Sequence, residues 1–270
     1  MTPFLKWPGG KRWLVSKYPD IFPNEYGTYF EPFLGGGSVF FHLMPEQGVV
    51  SDTNRELINT YHIMAKNPAL LRILLEEHQE NHSVEYYYNI RNHIPLEASA
   101  RAARFLYLNR TCFNGMYRVN RSGAFNVPIG TRNYFIYDVD MFEEYAHILH
   151  NIHIRTQDFV ATIRNAGDGD LVFVDPPYAT TNKQNCFIMY NEKLFSWRDQ
   201  TRLLNALVKA RARGAIIIST NVLHQQLQQM YQQNGFYTQI LNRFSSISGS
   251  ATGRGQLDEL LITSYPVNLI

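Results

Sequence analysis

Alternating short apolar segments and helical stretches predict an α/β protein built on an open, mostly parallel sheet of seven strands with helices on both faces. Three observations carry this expectation. The segments near 28–33, 48–52, 153–155, 171–174, 215–219, 236–241 and 259–264 have strand character. The most apolar of them, Ala215-Ile216-Ile217-Ile218-Ser219, reads as a strand covered on both faces. Finally, glycines or acids stand just beyond several of these strands, and sheets of this kind bind ligands at the carboxyl ends of their strands.

Taken in order, Thr28-Tyr29-Phe30-Glu31-Pro32-Phe33 is a strand running into the loop Leu34-Gly35-Gly36-Gly37-Ser38. Gly48-Val49-Val50-Ser51-Asp52 is a second strand that ends in an acid, and Thr53 or Asn54 is placed to cap the helix that follows. From about 55 to 112 the pattern is helical, with Leu57, Ile58, Tyr61, Leu70, Leu71, Leu74 and Leu75, then Phe105, Leu106 and Leu108 at helical spacings. Residues 113–130 are polar and aromatic, and Asn120-Arg121-Ser122-Gly123 reads as a turn between Tyr117-Arg118-Val119 and Phe125-Asn126-Val127. Strand–helix order then resumes, with helices expected over about 197–213 and from Val222 to Gln233. The helical block with its hairpin, residues 55–149, reads as a lobe inserted after the second strand.

With 45% hydrophobic and 14% aromatic residues the chain is not a disordered one. It has no run of eighteen apolar residues, and its start lacks the basic-then-apolar pattern of a signal peptide, so a soluble cytoplasmic protein is expected. Cys112 and Cys186 form no CxxC pair, and no metal site is expected. His147, His150 and His153 recur every three residues, but no carboxylate or cysteine supports them as ligands. The formal net charge of +2 hides an uneven distribution. Residues 98–137 and 200–257 hold no Asp or Glu, where windows of those lengths should hold about three and about five. The first stretch carries Arg101, Arg104, Arg110, Arg118, Arg121 and Arg132. Such a stretch suits a polyanion; for the helix around 200–213 a solvated cationic face is an equal alternative.

Nucleotide motifs fail. Gly9-Gly10-Lys11 lacks the leading glycine and the Ser/Thr of a P-loop, and Phe40 stands at the third glycine position of a dinucleotide fingerprint. A glycine loop after the first strand, with Asp52 placed for ribose hydroxyls, suits an adenosine-bearing cofactor without a pyrophosphate, S-adenosylmethionine being the obvious candidate. On these features alone, a plain turn with a helix-capping aspartate fits as well.

Asp175-Pro176-Pro177-Tyr178 directly follows the strand Leu171-Val172-Phe173-Val174. Proline cannot donate to a strand ladder, so the chain leaves the sheet there. The Asp175 carboxylate and Pro176 carbonyl offer two acceptors for the two N–H bonds of a planar exocyclic amine, and Tyr178 offers a ring for stacking. A strand-ending turn is the bland alternative, and the ordered company of the glycine loop and Asp52 weighs against it.

These segments together resemble the Dam-type (D12 class, alpha group) S-adenosylmethionine-dependent DNA adenine-N6 methyltransferases. The matching pieces are Phe4–Lys11, Glu31–Phe40, Asp52, Asn109–Arg118, Phe125–Pro128, Asp175–Tyr178 and Glu259–Ile262, which span nearly the whole chain. Pro8 stands where the family often has alanine. The resemblance implies a Rossmann-like methyltransferase fold with an inserted helical and β-hairpin DNA-recognition lobe. It divides the chain into a catalytic domain, 1–54 with 150–270, and a target-recognition domain, 55–149.

It further implies that Trp7, Lys11, Gly35 and Asp52 hold S-adenosylmethionine, that Asp158 and Phe159 flank its adenine, and that Asp175 lies close to both cofactor and target amine. Asp175, Pro176 and Tyr178 would be catalytic. Double-stranded DNA would be the substrate, with the target adenine flipped out of the helix. Phe113 and Asn114 would fill the gap, Arg118 would read a guanine, and Lys6, Met116 and Pro128 would touch the recognition sequence, for which GATC is the expected target. A monomer at the nucleoid, functionally associated with a restriction endonuclease, completes the expectation. Two rivals are a methyltransferase for RNA or protein and a catalytically inactive DNA-binding relative. The hairpin with Arg118 argues against the first, and the intact Asp52 and Asp175–Tyr178 against the second.

Overall fold

The structure is a computed structural model that describes residues 1–120, 123–136, 141–177, 195–244 and 256–269. Seven strands form one sheet: β1 (Tyr29–Glu31), β2 (Gly48–Asp52), β3 (Ile152–Thr156), β4 (Leu171–Val174), β5 (Ile216–Val222), β6 (Tyr237–Phe244) and β7 (Gln256–Thr263). Their order is β3-β2-β1-β4-β5-β7-β6. The pairs β2–β3, β1–β4 and β4–β5 are parallel, whereas β7 runs antiparallel to β5 and β6. The first five strands follow the Rossmann-like order 3-2-1-4-5, which an antiparallel hairpin extends. The expected α/β class and mostly parallel seven-stranded sheet are thus what the chain adopts. No helix among the described residues is long and apolar enough to cross a membrane.

The described residues fall into two compact units. The first comprises Met1–Val15 and Leu34–Thr156. It contains α1 (Arg12–Lys17) in part, α2 (Phe40–Leu43), α3 (Arg55–Lys66), α4 (Pro68–Glu80), α5 (Val84–Asn92), α6 (Ala98–Thr111) and α7 (Met141–Leu149). The long helical stretch expected over 55–112 is therefore four helices. Asn54 caps α3, its Oδ1 accepting from the Glu56 and Leu57 amides at 3.1 Å each. Leu57, Ile58, Tyr61 and Met64 form the buried face of α3. Ten consecutive residues of α6, Ala102–Thr111, are buried, which explains its weak amphipathic pattern: it is a central helix, packed against both α3 and α4. Phe4 inserts its ring among Phe41, Tyr61 and Tyr145, with centroids 5.0–5.8 Å away.

The acid-free stretch 98–137 looks different once folded. Arg101 pairs with Glu56. Arg104 is buried and donates to the Ile90 and Arg91 carbonyls at the end of α5, at 2.7 and 2.6 Å. Arg110 is buried as well, donating to the Phe4 and Phe135 carbonyls at 2.8 and 3.1 Å. These three arginines tie backbone or a carboxylate within the unit instead of presenting charge outward. Arg118, by contrast, is exposed, and Arg121 lies outside the described residues.

The second unit comprises Ser16–Phe33 and Gln157–Ile270. It contains β1, α8 (Phe159–Ile163), β4, α9 (Trp197–Ala212), β5, α10 (Gln225–Gln233), β6 and β7. All four residues of β4 are buried, as the apolar run predicts. A capping box opens α9: Ser196 Oγ accepts from the Asp199 amide and the Asp199 carboxylate accepts from the Ser196 amide. Here too some arginines serve the fold: Arg211 and Arg213 donate to carbonyls of Asn234, Gly235, Ile163 and Ala166. β5 runs to Val222, three residues past the expected end, because β7 pairs with it from Ile218↔Thr263 to Val222↔Glu259. Consequently α10 begins at Gln225 instead of Val222.

Candidate functional site

In the first unit the glycine loop and the end of β2 meet. The Gly35 amide donates to Asp52 Oδ2 at 3.1 Å, and the Asn54 amide donates to Asp52 Oδ1 at 2.9 Å. Burial raises the Asp52 pKa from its ordinary value, and the backbone donors of Asn54, Gly35 and Thr53 oppose that shift. Tyr61 donates its hydroxyl to the Gly35 carbonyl at 3.1 Å, which holds the loop from the α3 side. Gly35 has φ +48°, and a Cβ there would stand 2.6 Å from Trp7 Cδ1. Glycine is therefore required both by the backbone and by the indole packed on it. Trp7 stacks on Tyr117 with centroids 4.9 Å apart and planes 20° apart. Lys11 is only 2% exposed and donates to the Gly9 carbonyl at 3.0 Å.

Trp7, Gly35 and Asp52 are thus neighbours, as the sequence reading requires of a cofactor loop. A side-chain-free loop beside a carboxylate fits an adenosyl group: Asp52 accepts backbone donors from Gly35, Asn54 and Thr53, and with about four lone-pair sites a carboxylate keeps room for a ribose hydroxyl.

The same unit carries the hairpin. Its two arms meet through the bridges Cys112↔Ile129 and Val119↔Phe125, and the Asn120 amide donates to the Ala124 carbonyl at 2.8 Å. Phe113 is 50% exposed. Next to it Asn114 adopts φ +55° and Gly115 φ +63°. A Cβ on Gly115 would collide with the Lys6 side chain. Arg118 donates from Nε to Asn126 Oδ1 at 2.9 Å and from Nη2 to the Asn126 carbonyl at 3.3 Å. Met116 is half-buried and Pro128 exposed. Lys6 is exposed at the base of the hairpin, its pKa lowered by partial burial and by Arg132.

Asn109 opens the segment Asn109–Arg118. Its side-chain amide accepts from the Lys6 amide at 2.8 Å and donates to the Lys6 carbonyl at 2.7 Å, locking the segment around Trp7 to α6.

In the second unit β1 and β4 are parallel neighbours at the point where the strand order reverses, and ligands bind such sheets at the carboxyl ends flanking that switch. Asp175 is the first residue beyond β4, followed by the buried Pro176. Thr220, fully buried on β5, donates its hydroxyl to Asp175 Oδ1 at 2.8 Å. Tyr178 lies outside the described residues.

Asp158 caps α8, accepting from the Val160 amide at 2.9 Å, and both its oxygens lie 3.0 Å from Arg202 Nη2. The Arg202 guanidinium also sits 4.8 Å from the Phe159 centroid. Phe159 in turn stacks on Phe33, centroids 5.4 Å apart, and packs against Phe195 at 5.5 Å. Arg202, Phe33, Phe195 and Thr220 went unnoticed as site neighbours. Phe33 alone had a signal, standing within a quoted motif.

An α/β sheet of Rossmann-like order, with a glycine loop, an acid ending β2 and Asp-Pro-Pro ending β4, defines a nucleoside-cofactor enzyme of the methyltransferase type. A family model described as D12 class N6 adenine-specific DNA methyltransferase matches residues 7–251, and the chain belongs to that family. Among its relatives, the Type II methyltransferase M1.LlaDCHI of Lactococcus lactis subsp. cremoris is 36% identical over 274 residues, covering 98% of this chain and 96% of that one. The Type II methyltransferase M.MjaIII of Methanocaldococcus jannaschii is 31% identical, covering 98% of this chain and 99% of its own. A DNA adenine methylase of Vibrio cholerae is 31% identical, covering 97% and 96%. The chain is accordingly a DNA methyltransferase acting on adenine N6, with S-adenosylmethionine as the methyl donor.

Proposed function

We propose that this enzyme methylates adenine N6 within GATC in double-stranded DNA, flipping the target base out of the duplex. When bound, S-adenosylmethionine supplies an electrophilic methyl group on a sulfonium. The observation that carries the reading is Asp175 at the end of β4, held by Thr220 and followed by prolines that turn the chain out of the sheet. The adenine amine is a poor nucleophile because its lone pair is delocalised into the ring. The Asp175 carboxylate and the Pro176 carbonyl accept its two N–H bonds, favour a pyramidal nitrogen and stabilise the positive charge that grows on it. Tyr178 stacks on the extruded base. Trp7, Lys11, Gly35 and Asp52 hold the cofactor, with Asp158 and Phe159 against its adenine.

Residues 55–149 serve as the recognition lobe. The half-exposed Phe113 ring and its left-handed neighbour Asn114 suit a wedge for the space a flipped nucleotide leaves, at an unstacking cost of about a few kcal/mol. Lys6, Met116, Arg118 and Pro128 line the DNA side. The relatives named Type II methyltransferases support a restriction–modification role alongside an endonuclease, and the enzyme works as a monomer on nucleoid DNA.

Transfer of labelled methyl groups to duplexes containing GATC, to duplexes with each position altered, and to RNA tests this reading. Label confined to GATC duplexes is the expected result; label in RNA alone, or in duplexes regardless of sequence, overturns it. Arg118 is exposed on the hairpin beside Asn126, and an exposed arginine there can pair with guanine O6 and N7. Arg118→Ala is therefore expected to reduce discrimination at one guanine by about 1–3 kcal/mol. Competition between duplexes differing only at that guanine measures it, and an unchanged preference counts against the assignment.

A further inference from the structure

We infer that Asn109 is a positioning residue for sequence reading, fixing the root of the Lys6 side chain on the DNA side of the recognition lobe. This rests on the reading above that Lys6 touches the recognition sequence.

A lysine selects a base only where something limits the places its ammonium can reach. Its four-carbon stem is flexible, and the ammonium donates in no fixed plane. Lys6 lies outside the helices and strands, so no ladder sets its backbone. Asn109, on the last turn of α6, does so instead. The Lys6 amide donates to Asn109 Oδ1 at 2.8 Å, and Asn109 Nδ2 donates to the Lys6 carbonyl at 2.7 Å. A side-chain amide offers an acceptor and donors, as a peptide group does. Joined to the N–H and the C=O of one residue, it reproduces the two-bond pairing of facing residues in antiparallel strands. One bond would let the segment pivot about it; two fix the direction in which the Lys6 side chain leaves the backbone. Asn109 is 1% exposed, which shields its amide from competing water, and the buried run Ala102–Thr111 gives it a stiff mount.

The stem is guided a second time at the base of the hairpin. Gly115 has φ +63°, and a Cβ there would collide with Lys6 Cδ and stand 3.2 Å from Lys6 Cβ. The stem therefore crosses the glycine before it reaches its ammonium. The same Cβ would stand 3.3 Å from the Asn109 carbonyl oxygen, so clamp and glycine meet at one place. Arg118 bonds instead to Asn126 on the opposite arm of the hairpin. The two reading side chains thus have separate supports.

Competition in one reaction between a GATC duplex and duplexes altered at single positions tests this. The ratio of methylation rates cancels any change in cofactor affinity or in the fraction of active enzyme, which a merely structural role would alter. Lys6→Ala first locates the position that Lys6 reads, by a loss of discrimination of about 5- to 100-fold there. Asn109→Leu has similar volume and no hydrogen-bonding group. It is expected to lose about 5-fold or more at that same position. At the position that responds to Arg118→Ala it should stay within about 2-fold of the parent. Should the leucine variant fail to fold, Asn109→Asp makes the comparison. It keeps the shape but sets a second acceptor against the Lys6 carbonyl, and should show the same selective loss. Parent-like discrimination in the folded variants, or an equal fall at every position, overturns the inference.

A double-mutant cycle ties the effect to Lys6. In a Lys6→Ala background Asn109→Leu is expected to change discrimination by less than about 2-fold, because the side chain it aims is gone. A full multiplicative loss there shows that Asn109 acts by another route and overturns the inference too. If Lys6→Ala alone leaves every preference unchanged, the reading of Lys6 fails and takes the inference with it, a failure distinct from one confined to the Asn109 variants.

Discussion

Asp175→Ala is expected to lower the single-turnover rate of methyl transfer by about 10²- to 10³-fold while duplex binding persists. The size follows from what the carboxylate is asked to do. Charge develops on the attacking nitrogen only as the new bond forms, so a fixed anion beside it contributes chiefly in the transition state. β4 delivers that anion from a fully buried strand, and Thr220 holds one of its oxygens. Asp175→Asn keeps an acceptor for the Thr220 hydroxyl and removes the charge. Its rate should fall between those of the parent and the alanine variant, which separates the role of charge from that of orientation. Quench-flow transfer to a prebound duplex, with duplex affinity from anisotropy, measures both quantities. An alanine variant that transfers at the parent rate contradicts the role.

How visible these features were in the sequence depends on the distance over which each is determined. β4 and the start of β5 were legible because a short unbroken apolar run, rich in β-branched or aromatic residues and bounded by Gly, Asp or Pro, fits a strand covered on both faces. Asp175 was legible because two prolines force the exit from the sheet within the same few residues. The end of β5 was not. Thr220, Asn221 and Val222 are polar or ambiguous by themselves, and they belong to the strand because β7, some forty residues on, pairs with them. The same non-local pairing concealed Thr220 as a partner of Asp175.

The arginines show the opposite error. Their crowding in an acid-free stretch was read locally as a surface for phosphate. The carbonyls of Phe4, Ile90, Arg91 and Phe135, which Arg110 and Arg104 satisfy, are invisible to any charge count. Among the described cations of that stretch, Arg118 and Arg132 stand exposed. The glycine loop was legible as a close approach, although not that Trp7 is what approaches it.

Arg110 gives the second large effect, and it concerns stability rather than rate. The guanidinium is 5% exposed, and burial lowers its pKa to about 10, still far above neutrality, so it is a buried cation at any working pH. Its donors reach the carbonyl of Phe4 on the N-terminal segment and that of Phe135 on the segment after the hairpin. It thereby joins two stretches of chain to α6 that share no ladder with it. Arg110→Ala removes the donors, leaves those buried carbonyls without them, and opens a cavity beside α6. An unsatisfied buried acceptor costs about 1–3 kcal/mol, so the two together predict a loss of about 2–6 kcal/mol.

Arg110→Lys keeps the charge but cannot span both carbonyls with one ammonium in the same geometry, and most of the loss should remain. Arg101→Ala is the control: its partner Glu56 is partly exposed, and a pair of that kind contributes about 0–1 kcal/mol. Denaturant unfolding of the three variants should therefore rank Arg110→Ala and Arg110→Lys well below Arg101→Ala. The Phe4 segment leads directly into Lys6 and Trp7, so cofactor binding should weaken in the Arg110 variants even where the fold survives. If all three variants lose the same small amount, Arg110 is a solvated cation after all, and the phosphate-binding reading of the stretch regains its ground.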